Sequence, residues 1–353
     1  MKKREYKSYY ERNTLKKFFY IIFSPIAYIL ALIPKRKDLV LYGSMNGYSI
    51  VDNAKYEYLS SNDKEKYFIT FNPDVVNSYQ KTKFNVVYGW SLKGIFLQIR
   101  AEKIYFTHGL FDFFSILVMG AEKHNLWHGV PLKDIGPVTD WSSDNKFMLK
   151  IKILFYRIFA PAYYMTCDYV YCPFPSLKKN YSNYFCVSRP KIIIREQPRN
   201  SYFNDVVIQK KRKILFAPTH RSLQFKNFDF DLYFKKINLV KISNYLKSIN
   251  YDLVVRPHPI DKELFVSFCD VNNIEIDTSL DLYESLSSYE FVVTDYSSIF
   301  LDCMERQLSC FLVAPDYREY KDRVGISNIL DSYYSNDNFY KDLDFIKSKL
   351  VGP

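Results

Sequence analysis

Glycine is scarce in this chain, with 10 among 353 residues, and eight of those fall before residue 137. None forms GxGxxG or GxxxxGK[ST], so hydride transfer and P-loop ATP hydrolysis lose their main support. The six cysteines (Cys167, Cys172, Cys186, Cys269, Cys303 and Cys310) show no CxxC and no Cys/His metal spacing. Scattered in this way, they read as small buried residues of a reducing compartment. Long apolar runs are missing too. Phe18–Pro34 is 17 residues long and interrupted by Pro25, at the lower limit of what spans a bilayer. No small-residue cleavage site follows it, so no cleavable signal peptide is expected. The sequence has no internal repeat, low-complexity tract or recognised nucleic-acid module.

What is present is aromatic and basic. The length suits two α/β domains of roughly 150 residues each. Hydrophobic content of 48% and charged content of 25% are those of a globular protein. With 32 Tyr and 29 Phe, many rings must fill cores, and others suit a lipid interface. The net charge of +11 points to anionic partners: phosphate-bearing substrates, acidic lipid headgroups or nucleic acid. Residues 1–37 combine a basic, Tyr-rich stretch, the apolar run and Lys35-Arg36-Lys37. They read as a membrane-associating segment lying in the interface, with a first helix packed on the domain core as the alternative. Phe147–Phe159 mixes Leu, Ile and Phe with Lys150, Lys152 and Arg157. It is either a buried helix with snorkelling cations or a second membrane-contact helix.

From Asp38 onward apolar runs alternate with helical patterns. Strands are expected at Leu39–Tyr42, Tyr67–Thr70, Asn85–Tyr88, Ile104–Thr107, Asn125–Trp127, Tyr169–Cys172 and Ile192–Ile194, with helices such as Ser91–Arg100 and Pro175–Tyr184 between them. A polar, basic stretch at 196–212 reads as a linker. Beyond it strands are expected at Ile214–Ala217, Leu253–Arg256, Ile274–Ile276, Phe291–Thr294 and Cys310–Ala314. The helices there are expected near Tyr233–Ile249, Leu282–Leu286 and Ser298–Glu305. The α/β pattern predicts two doubly wound Rossmann-like domains, 38–195 and 213–353, facing across a ligand cleft in the GT-B plan.

Four clusters sit at expected strand ends. In Asn125-Leu-Trp-His-Gly-Val-Pro-Leu-Lys-Asp-Ile-Gly136 an imidazole, His128, follows an apolar run and precedes a forced turn. Histidine suits proton removal from a hydroxyl near neutral pH, and Lys133 can hold an anionic acceptor; a structural turn histidine is the alternative. Phe216-Ala-Pro-Thr-His-Arg221 presents Thr219, His220 and Arg221, a set suited to phosphate. Val254-Val-Arg-Pro-His-Pro259 fixes His258 between prolines, so Arg256 and His258 can neutralise charge on a leaving nucleotide phosphate. In Phe291-Val-Val-Thr-Asp-Tyr-Ser-Ser-Ile-Phe-Leu-Asp302 a strand passes into a helix near Ser297 and Ser298. A pyrophosphate fits such a helix start, and a plain cap by Asp295 or Ser297 is the other reading.

In this order and spacing the clusters resemble the CDP-glycerol:poly(glycerol phosphate) glycerophosphotransferase family of teichoic acid and capsule synthesis. The specific marks are WHG.PLK..G (Trp127 to Gly136) and TDYSS (Thr294 to Ser298). DNAKYEYL (Asp52 to Leu59), FTHG (Phe106 to Gly109), APTHR, RPHP and DYREY (Asp316 to Tyr320) support them, so the likeness covers roughly residues 38 to 325. The resemblance implies a GT-B phosphotransferase with no cofactor or metal, acting on the cytoplasmic face of the bacterial membrane as a peripheral or monotopic protein. Its partners would be a CDP-linked donor, an anionic polymer or lipid-linked acceptor, and the membrane surface, with no nucleic acid. Carried over, His128 is the base, while His258, Ser297 and Ser298 hold the donor. Thr219, Arg221 and Arg256 are additions, Asp295 orients the serine loop, and Asp302 stands behind it.

The end of the chain at Pro353, soon after DYREY, leaves little room for the C-terminal helix that GT-B proteins send back across the cleft, which puts closure of the second domain in doubt. A nucleotide-sugar glycosyltransferase is the rival enzyme, but its sugar-binding acidic residue has only Glu305 as a candidate. A CDP-ribitol donor is a nearer variant. A basic membrane- or nucleic-acid-binding protein without catalysis fits the charge and leaves the four clusters unexplained.

Overall fold

The computed structural model describes all but residues 1–17, 133–134, 136–144, 164–166, 186–190, 205, 207, 223–224, 226, 280, 327, 336–337 and 351–353. Lys133, Cys186 and the basic stretch Met1–Lys17 therefore lie outside the described residues. The chain divides into two compact units: Met1–Gly129 with Ile135–Tyr202, and Val130–Asp134 with Phe203–Pro353.

The first unit is built on seven parallel strands: β1 (Arg36–Tyr42), β2 (Glu65–Thr70), β3 (Val86–Tyr88), β4 (Ala101–Phe106), β5 (Glu122–Asn125), β6 (Tyr169–Cys172) and β7 (Lys191–Ile194). Their order is β3-β2-β1-β4-β5-β6-β7, so the winding reverses between β1 and β4. An open parallel sheet parts its loops at such a point and leaves a crevice beyond the strand C-termini. Helices Asp52–Ser60, Pro73–Tyr79 and Leu92–Arg100 follow β1, β2 and β3. Ser91 caps the last of these by accepting from the Gly94 amide at 3.0 Å.

The second unit repeats the logic with five parallel strands: β8 (Lys213–Ala217), β9 (Asp252–Val255), β10 (Glu275–Ile276), β11 (Phe291–Thr294) and β12 (Cys310–Leu312), in the order β10-β9-β8-β11-β12. Here the switch lies between β8 and β11. Alternate residues serve opposite faces. Ile214, Phe216, Leu253, Val255, Phe291 and Val293 enter one core, and Leu215, Ala217, Val254 and Val292 the other. Both faces are covered, which is why these strands read as unbroken apolar runs.

The structure corrects several expectations. The strand placed at Asn125–Trp127 is β5 and ends at Asn125. Trp127 takes a left-handed φ of 56°, with its amide donating to the Asn125 side chain at 3.0 Å. The helix expected over Tyr233–Ile249 is two, Phe230–Lys236 and Leu239–Ser248, broken where Asn238 adopts φ 57°. Leu282–Leu286 forms tight 3-10 turns, Leu282–Glu284 and Leu286–Ser288, because the Asp281 side chain accepts from the Tyr283 amide and fixes a turn. Within the expected linker, Pro198–Ser201 is helical and Arg199 is buried.

The helical residues 18–22 and the helix Ser24–Ala31 are separated at Phe23, and Pro25 sits in the first turn of the second, where its missing N–H is no loss. Tyr20 and Ala27 pack with Ile116, Ala160 and Ala162 in a core of the first unit. The apolar run is thus half packed, while its other face is exposed at Phe18, Ile22, Ile26, Ile29 and Leu32.

Candidate active site

In the first unit the β1, β4 and β5 ends bring two histidines together. His108 follows β4, and Gly109 after it holds φ 84°, a backbone region that favours glycine. Asp112, fully buried, pins this turn: one carboxyl oxygen accepts from the Thr107 and His108 amides at 2.7 and 2.9 Å, and the other accepts from the Asn46 amide at 2.6 Å. Burial pushes the Asp112 carboxyl up to about 6, opposed by these same amides.

The His128 ring stacks on that of His108 at 4.2 Å and 11°. Its Nδ1 lies 3.0 Å from the Thr107 carbonyl oxygen. A carbonyl can only accept, so Nδ1 carries the proton and Nε2 keeps its lone pair. The backbone around it is held from the Asp52–Asn53 pair that opens the helix after β1. Asn53 donates to the Trp127 carbonyl at 2.9 Å and accepts from the Arg199 amide at 3.2 Å. Arg199 in turn donates to the His128 carbonyl at 2.9 Å and pairs with Asp52 at 3.5 Å. Burial, then the neighbouring His108, lowers His128 to about 4, and burial lowers His108 to about 4. Both rings are neutral at physiological pH. A neutral imidazole with a free Nε2 can take a proton from a hydroxyl.

The second unit gathers the other candidates at the β8, β9 and β11 ends. His220 and His258 have ring centroids 4.6 Å apart, and the His258 Nδ1 accepts from the Ile260 amide at 3.3 Å. Ser297 and Ser298, half-buried, stand where the helix Ile299–Glu305 begins, with the Ser297 hydroxyl accepting from the Ile299 amide at 3.3 Å. Arg256 donates to Asp277 at 2.7 Å and to Ser279 at 2.8 Å, remaining partly exposed.

Arg221 is a correction. It is 1% exposed, and its guanidinium donates to Asp295 at 2.8 Å, to Asp316 at 2.9 Å and to the Thr219 carbonyl at 2.7 Å. Tyr233, Tyr296 and Tyr320 surround it within 5.4 Å. The group expected to grip a donor phosphate is an internal tie. Thr219 is turned the same way, with amide and hydroxyl on Asp295 at 2.7 and 2.5 Å. Asp295 also accepts from the Tyr296 amide at 2.7 Å, so it orients the loop before the serines. Asp302, buried, accepts from the Tyr283 hydroxyl at 3.0 Å.

Four contributors were missed as such. His108 entered only as part of FTHG and Asp316 only as part of DYREY, while Asp112 and Arg199 carried no signal beyond a buried-type charge near a turn.

Comparison with known proteins gives the family of the chain. The family model for CDP-glycerol:poly(glycerophosphate) glycerophosphotransferase matches residues 25–336. The chain belongs to that family. It is 23% identical over 343 residues to a teichoic acid glycerol-phosphate transferase of Staphylococcus aureus, covering 89% of this chain and 83% of that one. It is 23% identical over 335 residues to a teichoic acid poly(glycerol phosphate) polymerase of Bacillus spizizenii, covering 86% and 80%. Among solved structures it is similar to a variant of the wall teichoic acid polymerase TagF soaked with CDPG, at TM-score 0.64 and 20% identity over 97% of this chain and 88% of that one. The unsubstituted TagF gives 0.61 at 20% identity over 97% and 88%. The fold, two parallel α/β sheets, is therefore that of TagF, and the protein is a glycerophosphotransferase-like enzyme.

Proposed function

We propose that the protein transfers glycerol phosphate from CDP-glycerol to the terminal hydroxyl of a growing anionic polymer or lipid-linked primer at a membrane surface. The observation that carries this reading is the 3.0 Å contact of His128 Nδ1 with the Thr107 carbonyl: since the carbonyl can only accept, Nε2 is the basic atom. The acceptor oxygen attacks the phosphorus that bears glycerol, its proton passes to His128 Nε2, and the bond to the bridging oxygen breaks to release CMP. His258, Arg256, Ser297 and Ser298 hold the donor and neutralise charge on the departing phosphate. Lys133 is assigned to an anionic group of the acceptor. These side chains supply the countercharge, so the reaction is assigned no metal and should persist in EDTA.

Membrane docking rests on two helices of the first unit. Phe147, Ile151, Leu154, Phe155, Ile158 and Phe159 form an exposed stripe on Lys146–Phe159, recurring at helical spacing. The Tyr28 hydroxyl donates to the Ile158 carbonyl at 2.9 Å, which sets this helix beside Ser24–Ala31 and its own exposed face. No described helix is long and apolar enough to cross a membrane. Contiguous exposed apolar surface of this kind marks an interaction site, and the basic composition favours an anionic, cytoplasmic leaflet.

The test follows CMP or UDP release from radiolabelled CDP-glycerol, CDP-ribitol and UDP-sugars with a lipid-linked primer, with and without EDTA. CDP-glycerol should be the productive donor. His128→Ala should abolish transfer while calorimetry finds CDP-glycerol affinity within a few-fold of normal. Preferential release of UDP would replace this reading with a glycosyltransferase.

A further inference from the structure

His108 has a place that the reaction as written does not use. Its Nδ1 accepts from the Met45 amide at 3.1 Å, with the Thr107 hydroxyl 2.8 Å away. An atom that accepts from a backbone N–H cannot carry a proton, so neutral His108 is protonated on Nε2. His128 is the opposite tautomer. Both Nδ1 atoms turn toward Thr107, and the rings are parallel within 11°, so both Nε2 atoms point away from that residue. The pair offers one N–H donor beside one lone pair.

We propose that His108 is the positioning residue for the acceptor-side base, its locked ring fixing the plane of His128 and keeping water off that imidazole so that Nε2 stays unprotonated. The proposal rests on the assignment of His128 as base. The groups facing the pair are Thr107 and Met45 on His108, Asp112 beneath its amide, and Asp52 and Arg199 against His128. Burial, His108 and Arg199 oppose a protonated His128, while the Thr107 carbonyl and Asp52 favour it, and the opposition dominates. Without the His108 ring, water reaches one face of His128, its burial is relieved and its affinity for a proton rises.

The first measurement needs no substitution. The chain has five histidines, and ¹⁵N labelling reports the tautomer of each. His108 should read as Nε2–H and His128 as Nδ1–H, both silent to titration until well below pH 6. The second measurement is the pH profile of transfer. In His108→Ala the acidic limb of kcat/KM should move up by about one pH unit, and kcat should fall by about tenfold to a hundredfold, a part of the roughly hundredfold to ten-thousandfold that a positioned base supplies. The KM for CDP-glycerol should stay within a few-fold. His108→Phe keeps a ring over His128 and should recover most of kcat. A folded His108→Ala with its limb unmoved, or a His128 found as the Nε2–H tautomer, overturns the proposal. Its failure is separable from that of the reaction itself: if His128→Ala still transfers, the base was misassigned, whereas a dead His128→Ala beside an unmoved His108→Ala limb defeats only the role of His108.

Discussion

At the β4 and β5 ends of the first unit two imidazoles lie face to face, held by backbone amides and carbonyls. At the β8 and β11 ends of the second, a guanidinium sits between two carboxylates. The first arrangement keeps its groups neutral, because burial disfavours the charged form of histidine and outweighs the pull of Asp52 on His128. The second is organised around a fixed charge, since Arg221 retains its proton under any ordinary condition and donates to both Asp295 and Asp316. Neutral rings beside a strand end are available for proton transfer. The ion-pair network is closed on itself and ties β8, β11 and the Asp316 turn together.

The largest effect should come from opening that network. Arg221→Met removes one cation and leaves Asp295, 0% exposed, and Asp316 facing each other without it. Breaking a buried pair from one side costs about 3–5 kcal/mol. The midpoint of urea unfolding should fall accordingly, and CDP-glycerol binding should weaken only as far as the folded population shrinks. A loss under about 1 kcal/mol with donor binding abolished would return Arg221 to the donor site and break the contrast.

The same contrast explains which parts of the molecule the sequence revealed. The strands of the second unit are legible because both their faces are buried, so Leu215, Val254 and Val292 are as apolar as their neighbours. β5 is not legible: its polar residues are satisfied inside the first unit. Lys123 reaches the Met119 and Ala121 carbonyls at 2.8 Å. His124 lies between Glu122 at 2.7 Å and Tyr171 at 3.0 Å. The site divides likewise. His128 is readable from its turn and its neighbours in sequence. The role of Arg221 is set by Asp295 and Asp316, 74 and 95 residues away, and Arg199 meets the His128 carbonyl across 71. Local pattern places a side chain at a strand end but does not say which distant carboxylate claims it.

A smaller effect concerns acid. His108 and His128 titrate near 4 in the fold against an ordinary 6.5. A lowered histidine value means that the unfolded chain binds the proton first. Their contribution to stability is therefore complete above about pH 6.5 and is lost as pH falls from there toward 4, by up to about 1.4 kcal/mol per pH unit for each group. Unfolding midpoints measured from pH 7.5 to 4.5 should decline less steeply in His108→Phe than in the unsubstituted protein. Parallel declines would mean that the stacked pair does not titrate as buried neutral rings.

The smallest effect is expected at the surface, where the units differ again. Exposed apolar residues of the second unit, such as Leu232, Ile260 and Val271, come from separate elements, as on any soluble protein. Most of those of the first unit lie on Lys146–Phe159 and on residues 18–32. Removing residues 1–37 is a blunt test, because it uncovers Ile116, Ala160 and Ala162 and takes Arg36 and Lys37 from β1. The double substitution Ile151→Asp with Phe155→Asp leaves that packing in place, since both side chains are exposed. Each buries only part of its surface in a leaflet, so the pair contributes about 2–4 kcal/mol at most. Adding two negative charges opposes attraction to anionic headgroups, an effect that salt screens. Sedimentation with anionic vesicles should fall at low salt, with transfer to a short soluble acceptor and the unfolding midpoint unchanged. If sedimentation is unaltered while raised salt still releases the protein, cations alone hold it at the surface and the apolar stripe serves another partner.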